Sequence, residues 1–437
     1  MSVTESIIDP KVMVADKAKS RLAWIVWSIA ASFFFIQYIA RVAPSVMAIN
    51  LREAFNIDAF TLGSMSSFFY YPYVAMQVPV GMLIDTYGTK KLLLAAVLLA
   101  TAGCAVFASA SNIYIANIGR FMLGLGSSFG FISAIKLATY WFKPQQFGML
   151  ASLTQATGMF GAAFGALPIA IAVANFGWRA SMWIIVGLFA VLFFLIAAIV
   201  RDRPESSTEE TNIQTKPKNS LLKNLATVIK NPQSWINAVA IGALYAPIAA
   251  FAELWGPSYL HNVYNIPKNE AAAATSIIFI GWVLGSTFTG YLSDKIGRRL
   301  PIIIVSSILC LIILTTVLYV NLPINLLFTL LFLFGVANTG VGLCYAFAGE
   351  INPRKIAGTS VAFANMASVL VGALLQPIIG WLLDLNWDGQ MLNNMRYYSA
   401  HNFKIAVISL VACLSVACVM PFFMKETFCK NVDDVSV

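Results

Sequence analysis

Three basic side chains, Arg41, Arg120 and Lys136, stand inside long apolar runs of this 437-residue sequence. A charged group inside a bilayer is costly, so each is a candidate for a functional site. The planar guanidinium of arginine matches a carboxylate or a phosphate. The pattern therefore suggests binding of a small anion, with Arg120 the first candidate and Arg41 the second. Two alternatives stay open: Arg41, near Pro44, could reach the outer interface, and Lys136 more simply reaches the inner headgroups.

Glu253 is the clearest carboxylate within an apolar run. Carboxylates in membrane helices take part in proton relays, so Glu253 is the candidate for coupling a proton to the movement of a solute. The alternative is a gate or cap residue at the outer end of its helix that pairs with Arg41. Glu350 stands beside Arg354 and Lys355, which favours a salt bridge at a cytosolic gate over proton coupling.

Hydrogen-bonding side chains recur along the other apolar runs. Tyr73 and Gln77 are one helical turn apart, so both are expected on a stripe that faces a cavity. Tyr70 is expected to serve packing or to anchor the interface. A mixed aromatic and amide wall opposite two arginines would suit a small hydroxylated or amide-bearing anion or zwitterion. The further candidate substrate-binding residues are Gln155, Tyr245, Trp282, Asn338, Tyr345, Asn365 and Gln376.

The composition indicates which secondary-structure elements position these groups. Hydrophobic residues make up 59% of the chain and charged residues 11%, against roughly a quarter charged in a soluble domain. That excludes a water-soluble globular enzyme. Runs of about 20 apolar residues cross a bilayer, and two sets of six predict an all-α membrane protein with two six-helix bundles. The runs lie near 22–47, 61–84, 91–110, 114–140, 147–174, 179–200, 235–257, 271–293, 300–320, 325–349, 356–384 and 403–424.

The predicted domains follow this order. A polar stretch without an apolar period separates the two sets and carries one short surface helix near 221–228. The domains are a cytosolic N-terminal tail at 1–21, a six-helix bundle at 22–200, a cytosolic linker at 201–233, a second six-helix bundle at 234–424 and a cytosolic tail at 425–437.

Lys and Arg residues concentrate in alternate loops. With the N-terminus in the cytosol, the cytosolic segments carry 20 of them and the outer loops carry 5. Positive loops stay in the cytosol, so both termini are predicted to be cytosolic. The net charge of +9 then needs no nucleic-acid partner. Six cysteines without a CxxC pair indicate neither a disulfide framework nor a zinc site.

A motif of glycine, aspartate and basic residues after the second helix returns after the eighth, at an offset of 209 residues. Both copies lie in cytosolic loops, so the repeat is parallel, with its axis along the membrane normal. The first glycine of each copy would let neighbouring backbones approach, and the aspartates can accept from a helix N-terminus or a basic side chain. The gating residues are Gly81, Asp85, Gly88 and Lys90 in the first copy and Gly290, Asp294, Gly297, Arg298 and Arg299 in the second.

These motifs resemble the major facilitator superfamily, whose GxxxDxxGxxx signature occupies the loop between helices 2 and 3 and recurs between helices 8 and 9. Arg120 and Gly124 match its RxxxG pattern on helix 4, and the run from Tyr73 to Gly81 matches YxxxQxPxG. The resemblance implies two bundles that rock around a central site to give alternating access, with the loop motif holding the halves together when the site faces outward. In the organic-anion branch, arginines at places that match Arg41 and Arg120 bind the carboxylate or phosphate of the substrate.

The sequence departs from that branch in two places. Thr86 and Thr89 replace basic residues in the first motif copy, which suggests a weaker contact there. The organic-anion symporters usually carry an acid seven residues after the helix 4 arginine, where this chain has Ser127. If the protein is driven by protons, another carboxylate such as Glu253 must serve.

Small residues also form faces on helices 5 and 8, which in this superfamily face each other across the halves. Such faces suit close helix crossings. Loose structural packing is the alternative. The helix-packing residues are Gly158, Gly161 and Gly165 on helix 5 and Gly281 and Gly285 on helix 8.

The predicted function is secondary active transport by alternating access, as proton-coupled uptake of a small carboxylate-bearing or phosphorylated solute: an organic acid, sugar acid, amino acid or small peptide. No cofactor is expected, because a gradient of protons or another ion supplies the energy. The expected partners are the solute, a coupling proton and membrane lipid. The protein is expected to be a monomer in a bacterial inner membrane.

No GxxxxGK[ST] loop indicates ATP drive, and the only histidines, His261 and His401, lie in outer loops, which argues against an intramembrane enzyme. The alternatives are a proton-antiport exporter of drugs or siderophores and a transporter-like receptor or scaffold.

Overall fold

The computed structural model describes residues 10–143, 146–203, 219–392 and 395–435. Tail residues 1–9 and linker residues 204–218 lie outside the described residues. In the described ranges the regular structure is helical apart from one antiparallel hairpin, β1 Met391–Leu392 and β2 Met395–Arg396, with Met391 opposite Arg396. Ten helices there are long and apolar enough to cross a membrane. The predicted all-α membrane fold is confirmed.

Those ten helices account for eleven crossings, and helix 2 adds the twelfth. The element Phe147–Ile199 has 53 residues, which in a straight helix would extend about 80 Å, far more than one bilayer needs. It turns at Gly177, whose φ of 80° favours glycine, and so forms helices 5 and 6. Helix 2 is divided into three pieces that are each too short to span a membrane alone.

The first half contains helices 1 to 6. Helix 1 is Pro10–Phe55, and helix 2 comprises Ala59–Ser67, Tyr70–Met76 and Pro79–Tyr87. Helix 3 is Thr89–Ala108, helix 4 comprises Ile113–Ser127 and Gly130–Trp141, and helices 5 and 6 are the two arms of Phe147–Ile199. An amphipathic helix, Asn219–Lys230, follows at the end of the linker.

The second half contains helices 7 to 12. Helix 7 comprises Pro232–Pro247, a π-helical part Ile248–Trp255 and Gly256–Tyr264. Helix 8 is Lys268–Ile296, helix 9 is Leu300–Tyr319, and helix 10 comprises Ile324–Ala337 and Gly340–Glu350. A 3-10 turn, Arg354–Ile356, leads into helix 11, Ala357–Leu385. Helix 12 comprises Ala400–Ala406, Ile408–Val419 and Met420–Phe423, and a short turn, Val432–Val435, lies in the tail.

Several helices are interrupted partway along their length. Helix 4 breaks after Ser127, and helix 10 breaks after Ala337, the corresponding place in the second half. In helix 7, Pro247 has no N–H to donate, and the wider π-helical turns of Ile248–Trp255 follow it. Such π-helical insertions are frequent at functional sites. Glu253 lies within this part of helix 7.

The packing glycines line crossings within each half rather than the contact between helices 5 and 8. A Cβ at Gly158 or Gly161 would meet helix 1, and so would one at Gly165. A Cβ at Gly281 or Gly285 would meet the backbone of helix 10. Small residues therefore bring helix 5 against helix 1 and helix 8 against helix 10, which corrects the expected partner.

The two faces of the bundle differ in how the halves meet. We call the face where helix 1 begins and helix 12 ends the terminus face, and the opposite one the far face. At the far face, Asp384 of helix 11 accepts from the main-chain N–H of Phe60 at 2.7 Å, across the halves. Arg52 of helix 1 donates to the carbonyl oxygen of Arg396 at 2.7 Å. Arg52, Asp384, Arg396 and Tyr398 form what we call the far-face latch.

The Tyr398 hydroxyl of the latch is held in its protonated form by its surroundings. Burial and the hydrogen bond to Asp384 raise the pKa of Tyr398, so its hydroxyl remains a donor to that carboxylate. Arg396 adds an ion pair to Asp384 at 3.1 Å. The halves are therefore closed against each other at the far ends of helices 2 and 11.

Charged residues of the repeated motif pair within their own halves at the terminus face. Lys136 lies 2.6 Å from Asp85, a contact that the sequence did not predict. Arg299 lies 2.7 Å from Asp294 and 2.8 Å from Glu350. Burial alone would lower the pKa of Arg299, but its hydrogen bonds to Glu350 and Asp294 outweigh burial and raise it. Among the described residues, no ion pair joins the two halves at this face.

The motif glycines divide into two groups. Gly81 and Gly290 have no heavy atom within 4 Å of the place a Cβ would take, so the expected close backbone approach is not made in this conformation. Gly88 and Gly297 have φ values of 86° and 70°, which side chains rarely adopt. Their role is to turn the chain between successive helices.

The two remaining motif residues also contact their own halves. Lys90 Nζ donates to the carbonyl oxygen of Ala197 at 2.9 Å, joining helix 3 to helix 6. The Arg298 guanidinium lies 5.5 Å from the ring centroid of Phe428. Among the described residues, the contacts given for these two motif side chains therefore stay within one half.

The far-face latch gives a first testable prediction. Asp384→Asn removes the charge that faces the start of helix 2, and a charge at a helix terminus contributes about 0.3–1 kcal/mol, up to about 2 kcal/mol when partly buried. We expect the far face to open more often, so that a cysteine replacing the buried Ser67 reacts several-fold faster with a membrane-impermeant maleimide. Asp388→Asn is the matched control, because the hydrogen bonds of Asp388 to described residues stay within its own loop. Equal labelling rates in the two variants would remove Asp384 from the latch.

Candidate functional site

The buried centre of the molecule holds one ion pair that joins the halves. Arg41 of helix 1 is 1% exposed and Glu253 of helix 7 is 0% exposed. The Nε of Arg41 donates to Oε2 of Glu253 at 2.8 Å, and its Nη2 donates to Oε1 at 2.9 Å. This is the bidentate geometry of a strong guanidinium–carboxylate pair. Of the two expectations for Arg41 and Glu253, the structure shows the pairing.

Two tyrosine hydroxyls complete the surroundings of the carboxylate. Tyr70 donates to Oε2 of Glu253, and Tyr245 donates to Oε1 at 3.2 Å. Gln376 of helix 11 donates in turn to the Tyr70 hydroxyl at 3.2 Å. Each carboxylate oxygen thus accepts one bond from a guanidinium and one from a phenol. We call Arg41, Tyr70 and Tyr245 the carboxylate cage.

Aromatic rings enclose the guanidinium of the cage. The centroids of Tyr38 and Tyr70 lie 4.9 and 4.8 Å from the Arg41 guanidinium carbon. Sequence reasoning assigned Tyr70 to packing, and its role in the cage was missed. The reason is the break in helix 2 before Tyr70, which changes the direction of the side chains that follow and leaves no signal in the residue spacing.

Arg120 lies beside the cage but faces main-chain atoms. Its Nη1 donates to the carbonyl oxygen of Ala40 at 3.1 Å, and its Nη2 donates to that of Ser66 at 3.2 Å and that of Arg41 at 3.5 Å. Phe69 covers the guanidinium at 5.1 Å. Arg120 therefore anchors the turn of helix 1 that carries Arg41 to helix 2, while its Nε is buried without a partner among the described residues.

The charges of this buried centre do not balance. Arg41 and Arg120 are both 1% exposed, and within the described residues Glu253 is the only acid that pairs with either. An arginine stays protonated in proteins. With Glu253 ionised, the centre therefore carries two positive charges and one negative charge, which favours an additional anion.

A second polar network lies nearer the terminus face. Asn365 of helix 11 donates to Oε1 of Gln77 of helix 2 at 2.9 Å, across the halves. Tyr345 of helix 10 donates to Oδ1 of Asn365 at 3.0 Å and lies 3.0 Å from the Ser368 hydroxyl. Tyr73 is buried and its ring stacks on Phe69, so it lies between the two networks. These groups are hydrogen-bond donors and acceptors of the kind that hydroxyl groups need.

Three of the expected binding residues take no part in either network. Asn338 donates to the carbonyl oxygen of Leu244 at 2.8 Å and so ties the break in helix 10 to helix 7. The indole N–H of Trp282 is buried without a partner. Gln155 is half-buried on helix 5. Their place in binding stays a prediction.

Gln37 is a buried amide that sequence reasoning did not single out. It is 0% exposed, and neither its nitrogen nor its oxygen has a hydrogen-bond partner. The Oε1 of Gln376 is also unpartnered. Leaving such groups unpaired costs free energy, so they are available to a ligand or water. The sequence signal that could have pointed to Gln37 is its position on helix 1, one turn before Arg41.

Comparisons with known proteins agree with this architecture. The family model for the Major Facilitator Superfamily matches residues 29–377. A probable sulfoacetate transporter of Cupriavidus necator, SauU, is 26% identical over 65% of this chain and 67% of its own. A probable galactarate/D-glucarate transporter of Escherichia coli, GudP, is 23% identical over 90% of this chain and 93% of its own.

A solved structure supports the fold independently. A bacterial homologue of the human lysosomal transporter Spinster, in an inward-facing and occupied conformation, superposes with a TM-score of 0.76. It is 15% identical and covers 91% of this chain and 96% of its own. At this identity the likeness concerns the fold alone.

Proposed function

This chain belongs to the Major Facilitator Superfamily, and from that premise we propose that it carries a small carboxylate-bearing solute across the membrane together with protons. The observation that carries the proposal is the carboxylate cage, in which a guanidinium and two phenols hold the carboxylate of Glu253. The excess positive charge of the centre supports an anionic solute. Relatives named for sulfoacetate and for galactarate or D-glucarate support the same class.

Glu253 and the solute compete for the same partner in this scheme. The two nitrogens that Arg41 offers to Glu253 cannot serve a second carboxylate in the same geometry. A proton on Glu253 removes its charge and releases Arg41 to the solute. Binding of the anion and binding of the proton therefore favour each other, which is the thermodynamic requirement for coupling.

The cage also links binding to the movement of the halves. Arg41 and Tyr70 belong to the first half, whereas Tyr245 and Glu253 belong to the second. Replacing the Arg41–Glu253 pair with a solute contact changes what holds the halves together at the centre. We place the terminus face in the cytosol, because Lys and Arg number 20 on that side and 5 on the other. The far-face latch then closes the halves on the outer side of the membrane.

A ligand screen tests the proposal. The purified protein is unfolded by heat in the presence of sugar acids, organic acids, sulfonates, phosphate esters, amino acids, dipeptides and apolar cations. A compound that binds the folded state raises the unfolding midpoint by mass action. We expect shifts with carboxylates, larger at acidic pH. Shifts confined to bulky apolar cations would support drug export by proton antiport, and the absence of any shift would favour a receptor or scaffold.

Arg120 gives a second prediction. Arg120→Ala should lose binding of the solute found in the screen, because the turn that carries Arg41 loses its anchor. Each lost bond to a charged donor costs about 1.5–3 kcal/mol, so the unfolding midpoint should also fall. Arg120→Lys keeps the charge without the planar set of donors and should recover only part of the binding. Uptake by Arg120→Ala at the level of the unmodified protein would contradict this role.

A further inference from the structure

The far face carries a cavity of about 230 Å³ that lies between the two halves. Helices 1 and 5 line it from the first half, and the end of helix 7 and the start of helix 8 line it from the second. Its polar lining residues are Ser45, Asn50, Ser258, His261, Lys268 and Asn269.

The polar groups of this cavity have unused capacity to bind. Ser45 is 3% exposed and its hydroxyl has no partner within the part of the chain that the structure describes. Lys268 takes part in no ion pair there. His261 Nδ1 donates to the carbonyl oxygen of Ile266 at 2.8 Å. The cavity thus combines a basic side chain with hydroxyl, imidazole and amide groups.

The backbone adds to the same preference. Helix 8, Lys268–Ile296, begins at the cavity wall, and no side chain caps its first N–H groups. These N–H groups and the positive end of the helix dipole favour an anion. No carboxylate lines the cavity; Glu270 lies in the first turn of helix 8 but is exposed and is not among the lining residues.

The position of the cavity relates it to the carboxylate cage. Ser45 follows Arg41 by one turn of helix 1, which is about 6 Å along the axis. The far-face latch closes the halves at helices 2 and 11, whereas the cavity lies beside helices 1, 5, 7 and 8. The cavity is therefore an indentation of the far face that leads toward Arg41 while the passage itself is closed.

We propose that this cavity is a docking site where a small oxyanion, such as a carboxylate, binds from the far face before it reaches Arg41. The inference rests on the proposed transport of anions. Lys268, the start of helix 8 and the Ser45 hydroxyl hold the anion there, and a positive site at the mouth raises the local concentration of the incoming solute. The docking site is therefore expected to affect the transport only of solute that is added at the far face.

Transport kinetics from each side test the sidedness. In oriented vesicles, Lys268→Gln should raise the half-saturation concentration for solute added at the far face about fivefold, an effect of the size expected for one steering charge. The maximal rate and the half-saturation from the terminus face should not change. Lys404→Gln is the matched control, since Lys404 is a lysine at the start of helix 12 that does not line the cavity. Equal effects of the two variants, or equal changes from both sides, would overturn the proposal.

A binding measurement separates this site from the cage. A fluorophore is attached to Ala174→Cys, which lines the cavity, through an impermeant maleimide, and acetate or sulfate is titrated in phosphatidylcholine vesicles. A saturable response that survives Arg41→Gln and is lost in Lys268→Gln supports the docking site even where transport fails. A response that requires Arg41 but not Lys268 overturns it. A response only when phosphatidylglycerol is added would assign the cavity to a lipid headgroup and also overturn it.

Discussion

Arg41→Gln will abolish uptake of the anionic solute and its stabilisation of the folded protein. The substitution removes the guanidinium that donates two bonds to a carboxylate at 2.8 and 2.9 Å, and it removes one of the two positive charges of the centre. Truncating one partner of a buried charged pair costs about 2–5 kcal/mol, which corresponds to a loss in affinity of at least about thirtyfold. Uptake in vesicles and the shift in unfolding midpoint measure the effect.

A conservative variant separates charge from geometry. Arg41→Lys keeps the positive charge but presents a single ammonium in place of the planar pair of donors. We expect it to bind the solute at least about tenfold more weakly than the unmodified protein and better than Arg41→Gln. If Arg41→Gln transports with an unchanged half-saturation concentration, the anion site lies elsewhere in the molecule.

Glu253→Gln will uncouple transport from protons. The glutamine keeps the approximate shape of the side chain but carries no charge and cannot titrate, so Arg41 becomes available to the solute at every pH. We expect tighter binding at neutral and alkaline pH and retained exchange of labelled for unlabelled solute. Accumulation driven by a proton gradient should disappear, because no proton accompanies the solute.

The pH dependence follows with a definite sign. In the unmodified protein, wherever empty Glu253 is ionised, each anion that binds requires one proton, so the apparent Kd rises about tenfold per unit of pH. In Glu253→Gln that dependence should vanish. Glu53→Gln is the control, since Glu53 is an exposed residue at the end of helix 1. Proton-driven accumulation that persists in Glu253→Gln would show that another group carries the proton.

The fold was largely predictable because only a few backbone structures can cross a bilayer. Backbone groups in lipid must be satisfied internally, so long apolar runs become helices, and the repeated Gly81 and Gly290 motif marks two related halves. The family resemblance and the all-α membrane fold are confirmed by the match to residues 29–377 and by the superposition. The domain boundaries, the coupling ion and the monomeric state stay predictions.

The site was less predictable because side-chain direction depends on tertiary breaks in helices. Arg41 and Glu253 were recognised as buried charges, but their partner could not be chosen from sequence alone. Tyr70 follows a break in helix 2, and Arg120 turns toward main-chain carbonyl oxygens that no residue pattern reveals. Periodicity assumes a regular helix, and it fails where the helix is interrupted.

The most direct test of the competition between Glu253 and the solute is the number of protons taken up when one anion binds. Calorimetric titration of the detergent-solubilised protein in buffers of different ionisation enthalpy gives this number at equilibrium, without transport. At a pH where empty Glu253 is ionised, we predict about one proton taken up per anion in the unmodified protein and none in Glu253→Gln. Binding without proton uptake in the unmodified protein, or the same uptake in Glu253→Gln, would contradict the account.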